Sequence, residues 1–424
     1  MSDNIYLKRL FQAYYKESKI HIINLLEQRE FGFIPWEKQI MNRHIGFNAS
    51  TNLKKYLVNN TPKHAYTSGS LYSQPENQDM EGKGYLGCDL IIDIDVDHFY
   101  TPCKNDHDIW FCKDCGKSGK GMIEKCPSCK KQKLSTLTWI CKDCLEIAKN
   151  QIIKLLYDFL IPDFRIDIKQ VKIAFSGHRG YHLKIENDRI RSLTSEERRE
   201  IIDYISGENI SFDILGLQDK GGNIFGFSKE NIGWSHKIIS KMEDLLNKTN
   251  SEIQEFLSNK RKLNFSQNLI KNFLNYKDDL LKILRNKNKN NWNIAGFGLT
   301  SWIKLLKTLV NEIGIEVDVP VSVDIHRLIR YPGSLHGKTG FKVQELSPDE
   351  LDDFIPLDEI NERLDPIVFK SEKNITQKLE ITELQVPTTS LKGETLGPYV
   401  KGDIIEVPHH FAVFLLCKGV AKTI

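Results

Sequence analysis

Residues Asp89–Phe99 read DLIIDIDVDHF, and the alternation inside them marks the strand around which the chain is built. Leu90, Ile92, Ile94 and Val96 alternate with Ile91, Asp93, Asp95 and Asp97, the period of two that marks a β-strand with unlike faces. Carboxylates stacked at i and i+2 on one strand face repel each other, so their repetition implies a cation between them. Hard divalent ions such as Mg²⁺ and Mn²⁺ take carboxylate oxygens and leave positions for substrate phosphates. The plainer alternative is an edge strand whose outward Asp residues only discourage aggregation. A β-disfavoured residue repeated within an otherwise apolar strand argues against it.

Immediately downstream lies a cysteine-rich insert, Cys103 to Cys144. It holds CKDC (Cys112, Cys115), CPSC (Cys126, Cys129) and a second CKDC (Cys141, Cys144), with Cys103 and His107 ahead of them. A CxxC turn presents two thiolates to one ion, and two such turns complete a tetrahedral Zn²⁺ shell. The Gly-, Ser- and Lys-rich gap between Cys115 and Cys126 resembles a zinc-ribbon loop, which leaves Cys103, His107, Cys141 and Cys144 as a second set. One or two zinc ions fit, and closed four-ligand sites are structural, so zinc is not the catalytic metal.

Further along, an amphipathic helix with Ala148, Ile152, Leu155, Leu156 and Phe159 on one face runs to Pro162. Two strands, Val171–Phe175 and Tyr181–Ile185, then flank SGHRG. Gly177 and Gly180 permit close backbone approach, while Ser176, Arg179 and His182 supply donors suited to phosphate oxygens. The spacing is not that of a Walker loop. At 321–343, VSVDIHRLIRYPGSLHGKTGFKV places Asp324 after alternating Val321 and Val323, as on another strand, with Arg327, Arg330, His336 and Lys338 close behind. Three carboxylates beside one glycine-rich and one basic loop make a triphosphate site with two metals.

Outside these motifs the chain says less. Its 59 basic and 56 acidic residues nearly cancel, and no run of eighteen apolar residues spans a bilayer. The N-terminal segment has helical apolar spacing at Leu7, Leu10, Phe11 and Tyr14 without a secretion-signal core, so a cytoplasmic or nuclear protein without a membrane partner is expected. Nine cysteines in a reducing compartment point to metal and not to disulfides.

The pairing of DID with SGxRGxH and D…RLIRxPGSLHGKTG resembles the small, catalytic subunit of archaeal and eukaryotic DNA primases, closest to the archaeal type. REFGF (Arg29–Phe33), NRHIGF (Asn42–Phe47), AYTSGSLY and the WxCxxCLE around Trp139–Glu146 also look like that family. The resemblance implies an α/β (α+β) primase-type catalytic core with an RRM-like mixed sheet, a zinc-binding module and a peripheral helical subdomain. It implies Asp93, Asp95 and Asp324 as ligands of catalytic Mg²⁺ or Mn²⁺. By motif position Ser176, Gly177, His178, Arg179, His182, Arg330, His336 and Lys338 hold the incoming triphosphate, and Arg43 lies near the nucleotide on the 5′ side. His178 stands where some relatives carry a second arginine. The extra CPSC pair is a departure that leaves open which cysteines share an ion.

The expected organisation is a core from residues 1–100 and 145–195, a zinc insert at 101–144, a mostly helical subdomain at 196–290, a second core segment at 291–370, and a linker with a C-terminal docking segment at 371–424. The implied activity is synthesis of short RNA, or also DNA, primers de novo on single-stranded DNA from nucleoside triphosphates. The implied partner is a primase large subunit in a heterodimer, and the setting is the cytoplasm near the nucleoid, or the nucleus in a eukaryote. Two rivals are a stand-alone primase-polymerase of repair or lesion bypass, and a noncatalytic zinc-ribbon nucleic-acid-binding protein.

Overall fold

Four strands precede the acidic one in the computed structural model, which describes residues 3–260, 262–286, 290–370 and 375–424. They are β1 (Arg29–Ile34), β2 (Asn42–Ile45), β3 (His64–Tyr72) and β4 (Tyr85–Cys88), followed by the acidic strand β5 (Leu90–Asp95). The insert contributes β6 (Ile109–Cys112), β7 (Ser118–Lys120) and β8 (Leu134–Leu137), and the SGHRG connection joins β9 (Val171–Phe175) to β10 (Gly180–Ile185). Beyond a short hairpin of β11 (Gln218–Lys220) and β12 (Asn223–Phe225), the chain returns through β13 (Leu328–Arg330) and β14 (Gln344–Leu346).

The chain divides into two compact units. The first, residues 1–153, 167–199 and 317–424, holds two sheets ordered β13-β3-β1-β2, with β4 also on β3, and β14-β9-β10-β5. Their pairings are antiparallel, where a mixed sheet was expected, because the connection between β9 and β10 is a tight hairpin and no helical crossover joins neighbours. The α/β class itself is as read. Leu90, Ile92, Ile94 and Val96 are buried while Asp93, Asp95 and Asp97 stay partly open, the two faces the alternation implies. Buried Asp89 anchors the start of β5 through Arg29 and Arg191, each at 2.7 Å.

The acidic alternation stops being strand at Asp95. Its carboxylate accepts the Asp97 N–H at 2.9 Å and turns Val96–His98 into one 3₁₀ turn, so Asp97 leaves the strand face. Asp324 is also not on a strand: Val319–Val323 is a short helix started by Pro320, and Asp324 is its exposed C-terminal cap. Valine alternation over three positions suits a one-turn helix as well as a strand, and Pro at the second helical position decides the matter.

The second unit, 154–166 and 200–316, is mostly helical and larger than the expected 196–290. Helix Leu299–Ile313 belongs to it because its apolar face, with Trp302, Leu305, Leu306 and Leu309 fully buried, packs on helix Gly233–Leu246. Part of the NKNKNN run and residues 371–374 of the expected linker lie outside the described residues. The rest of 371–424 carries strands and a helix. Thr376–Ile381 pairs with Ile404–Pro408 and Ala421–Thr423, burying Leu379, Ile381 and Val407 under the helix His409–Lys418.

Candidate active site

Strands β5 and β10 set the register of the site: His182 lies opposite Asp93, and Gly180 opposite Asp95. Only glycine fits at 180, since a Cβ there would stand 2.4 Å from the Ile94 carbonyl oxygen. Gly177 turns with φ +78°, and its missing Cβ leaves room for His336, whose Cβ would otherwise lie 2.8 Å away. The Ser176 hydroxyl accepts the His178 and Gly180 N–H groups, each at 3.3 Å, and so holds the loop's shape.

A cleft of about 200 Å³ opens here. Asp93, Asp95, Asp97, Ser176, His178 and His182 line it together with Tyr66, Arg327, Arg330, His336 and Lys338. Acidic and basic side chains therefore share one cleft. Arg330 lies over the Tyr66 ring at 4.7 Å and also contacts His64. His336 stacks on His178 with ring centroids 5.1 Å apart, and Lys418 of the last helix reaches His178 Nε2 at 3.0 Å while donating to the Thr138 carbonyl at 2.8 Å. Burial, with Arg179 and Lys338 nearby, pushes Lys418 down to about 7.

The carboxylates are electrically strained. Burial, then Asp95 and Asp318, hold Asp93 well above the usual carboxylate range, and burial with Asp97 raises Asp95. Asp93 Oδ1 is buried without a hydrogen-bond partner; His182 Nε2 approaches it at 3.3 Å outside hydrogen-bonding geometry, and burial beside Arg330 pushes that histidine down to about 3. A buried oxygen with no donor among crowded like charges fits a divalent cation's requirements. Among the described residues the aspartate oxygens are not drawn as tightly together as the cysteine ligands are.

Asp318 is a cleft neighbour that sequence reasoning missed. Its N–H donates to the Asp93 carbonyl at 3.0 Å, and its carboxylate, only 12% exposed, lies 3.4 Å from His98. Asp324, by contrast, is exposed and accepts the His326 N–H at 2.9 Å. Nothing local marks Asp318; a weak signal is its place just before the Pro-initiated helix that packs on β5.

Two other basic residues stand elsewhere than in the cleft wall. Arg43 pairs with buried Glu30 at 3.0 Å and donates to the His326 carbonyl. Arg179 is 1% exposed: its NH1 donates to both Asp108 oxygens, at 2.8 and 3.0 Å, and to the Trp139 carbonyl, and its NH2 pairs with Asp97. Tyr72, on β3 with Tyr66, is fully buried.

The eight remaining ligands gather into two groups, Cys103–His107–Cys141–Cys144 and Cys112–Cys115–Cys126–Cys129, each with its ligand atoms within 4.8 Å of one another. Sulfur separations of 3.3 Å in the first and 3.5 and 3.6 Å in the second are close to the roughly 3.8 Å edge of a tetrahedral thiolate shell. The second group is one turn repeated. Gly116 and Lys130, both at positive φ, close their CxxC turns by donating to Cys112 and Cys126 carbonyls at 2.9 Å.

A family model described as DNA primase small subunit matches residues 131–347. The DNA primase small subunit PriS of Methanococcoides burtonii is 31% identical over 100% of this chain and 99% of its own length. The corresponding proteins of Archaeoglobus fulgidus and Methanosarcina acetivorans are 29% and 28% identical over 100% and 98% of this chain and 99% and 96% of theirs.

Proposed function

The chain belongs to the DNA primase small-subunit family, and from that premise we propose that the cleft at Asp93 and Asp95 is where it joins nucleotides on a single-stranded DNA template. It is a primase catalytic subunit, a DNA-directed nucleotidyltransferase of replication. The observation that carries the assignment of the site is buried Asp93 Oδ1, without a hydrogen-bond partner, beside Asp95 in a cleft also lined by Arg327, Arg330, His336 and Lys338.

In this reading Asp93 and Asp95 hold Mg²⁺ or Mn²⁺, and Asp318 is better placed than Asp324 to be the third carboxylate. Such ions, when bound, activate a 3′-hydroxyl and stabilise the pyrophosphate leaving group. The protein's own contribution is positional and electrostatic. Lys338 and Arg330 neutralise the β and γ phosphates. His336 and His178, kept uncharged by burial first and neighbouring cations second, offer neutral donors on the same wall. Ser176 and the glycines shape the loop on which an incoming triphosphate rests. The cysteine groups hold one structural zinc each, a primase large subunit completes the enzyme, and the complex works in the cytoplasm.

Extension from labelled nucleoside triphosphates on unprimed single-stranded DNA with Mg²⁺ or Mn²⁺ tests the site. Asp95→Asn is expected to abolish product while cysteine-bound zinc is retained; undiminished synthesis would move the active site elsewhere. Asp318→Asn is expected to cost at least roughly 100-fold, and Asp324→Asn less than about 5-fold, as removal of a directly charge-bearing group compares with an exposed cap; the reverse order would restore Asp324 as the ligand.

A further inference from the structure

The ribbon that carries the second cysteine group does more than close on itself. Between Cys112 and Lys133 stand Lys113, Lys117, Lys120, Lys125, Lys130, Lys131 and Lys133, against only Asp114 and Glu124. All seven lysines are exposed, and Lys131, paired with Asp114 at 3.6 Å, is the only one with an ion pair among the described residues. The fold concentrates them. Lys113 N–H donates to the Lys133 carbonyl at 3.0 Å, Cys112 N–H to Lys117 at 2.8 Å, and Cys126 N–H to Lys131 at 2.9 Å, so four of the lysines sit on the two turns that face one metal position. Like charges pinned together by main-chain bonds repel in the free protein, and a polyanion laid across them relieves that repulsion. Exposed Met122 and Ile123 add apolar surface beside the charge.

We propose that this ribbon is a sequence-independent grip for the sugar–phosphate backbone of single-stranded nucleic acid. The inference rests on the primase reading for the identity of the polyanion. Full-length, zinc-loaded protein and its Lys113→Gln/Lys117→Gln/Lys131→Gln/Lys133→Gln variant would be titrated with oligo-dT over a range of NaCl concentrations, with bound zinc measured on both. The log–log salt slope is expected to shrink by about 0.7 for each phosphate that is no longer neutralised, with binding at low salt weaker by roughly 10-fold or more. Nucleotide joining at saturating template should stay within about 2-fold, since no lysine of the ribbon lines the cleft. An unchanged slope and affinity with zinc retained overturns the proposal, as does loss of binding to polyglutamate alone, which would make the ribbon a seat for an acidic protein. If wild type binds oligo-dT through these lysines yet joins no nucleotides, the functional reading fails and the grip stands.

A buried chain of contacts carries a second inference independently. His107 turns Nε2 toward Cys144 Sγ at 3.3 Å and Nδ1 toward Asp108 at 2.9 Å. Asp108, fully buried, then holds Arg179 with both oxygens and takes the Trp139 N–H at 2.8 Å. Arg179 adjoins Gly180, opposite Asp95, and pairs with Asp97. We infer that Asp108 is a positioning residue through which the first cysteine–histidine group fixes the SGHRG loop.

Asp108→Asn keeps a hydrogen-bond acceptor for His107 and removes the charge that Arg179 needs. The expected result is a roughly 10-fold rise in nucleotide KM, with kcat changed less than about 2-fold and zinc retained. Asp108→Glu should recover part of the deficit, and Arg179→Lys, with one nitrogen where Arg179 uses NH1 on Asp108 and NH2 on Asp97, should show the same KM signature. A residue that merely stabilises the fold would lower the active fraction and leave KM alone, and that outcome overturns the inference.

Discussion

The two cysteine groups have nearly the same ligand chemistry and opposite surroundings. In the first, Cys144 and His107 are buried, Cys144 lies beside Thr101, and the group connects through Asp108 to Arg179, next to the acidic strand. In the second, Cys115 is exposed, and the small core is Trp110 with the ligands Cys112 and Cys126, with Leu134 packed on it. Four ligands around an ion thus do different work according to what their second contacts touch. The inner group is tied through Asp108 to the SGHRG loop; the outer group lies in a surface ribbon.

Substitutions can break this contrast, and the largest effect belongs to the inner group. Cys144→Ser is expected to lose one zinc per chain and more than roughly 100-fold of primer synthesis, because structural zinc contributes folding free energy on the order of 10 kcal/mol to the segment it closes. Metal analysis paired with an extension assay measures both, and full activity with one zinc gone would erase the distinction. The aspartate cleft sharpens the contrast from another side, since among the described residues its carboxylate oxygens are not gathered as the cysteine groups are. Asp93 and Asp95 have raised folded-state values, so each subtracts stability as pH climbs from the ordinary carboxylate range toward its folded value, and an ion that holds them deprotonated gives that stability back. Mn²⁺ is therefore expected to raise the melting temperature more at about pH 7.5 than at about pH 5, by several degrees, in thermal scans at both pH values; Asp93→Asn should remove the difference. The smallest change is expected in the outer group. Cys115→Ser should release the second zinc to a chelator faster than wild type while dinucleotide formation at saturating template stays within about 3-fold, the scale of a surface change away from the reacting atoms.

How much of the molecule was legible in its sequence depended on how local each signal was. The two-faced acidic strand, the CxxC turns and the loop from Cys115 to Cys126 are written in spacings of two to eleven residues, where backbone geometry acts, whereas Cys103 and His107 meet Cys141 and Cys144 only through folding. Asp318 was not legible, because its approach to Asp93 depends on where a five-residue helix packs, a tertiary fact with no periodicity to betray it. Arg179 was visible as a conspicuous cation, but its partners Asp97 and Asp108 lie 82 and 71 residues away, and only folding shows that they enclose it. The strands after residue 375 were missed for a different reason. Leu379, Ile381 and Val407 are few and separated by polar residues, so a short half-buried strand such as TQKLEI looks like a tether.

The contact of Lys418 with His178 has a consequence for biosynthesis. The helix His409–Lys418 backs a loop whose other parts were all translated before it, from Asp93 through His336. A ribosome that has not yet passed codon 418 therefore carries a nascent chain in which His178 still lacks this contact, and the loop gains it only once that stretch emerges and docks.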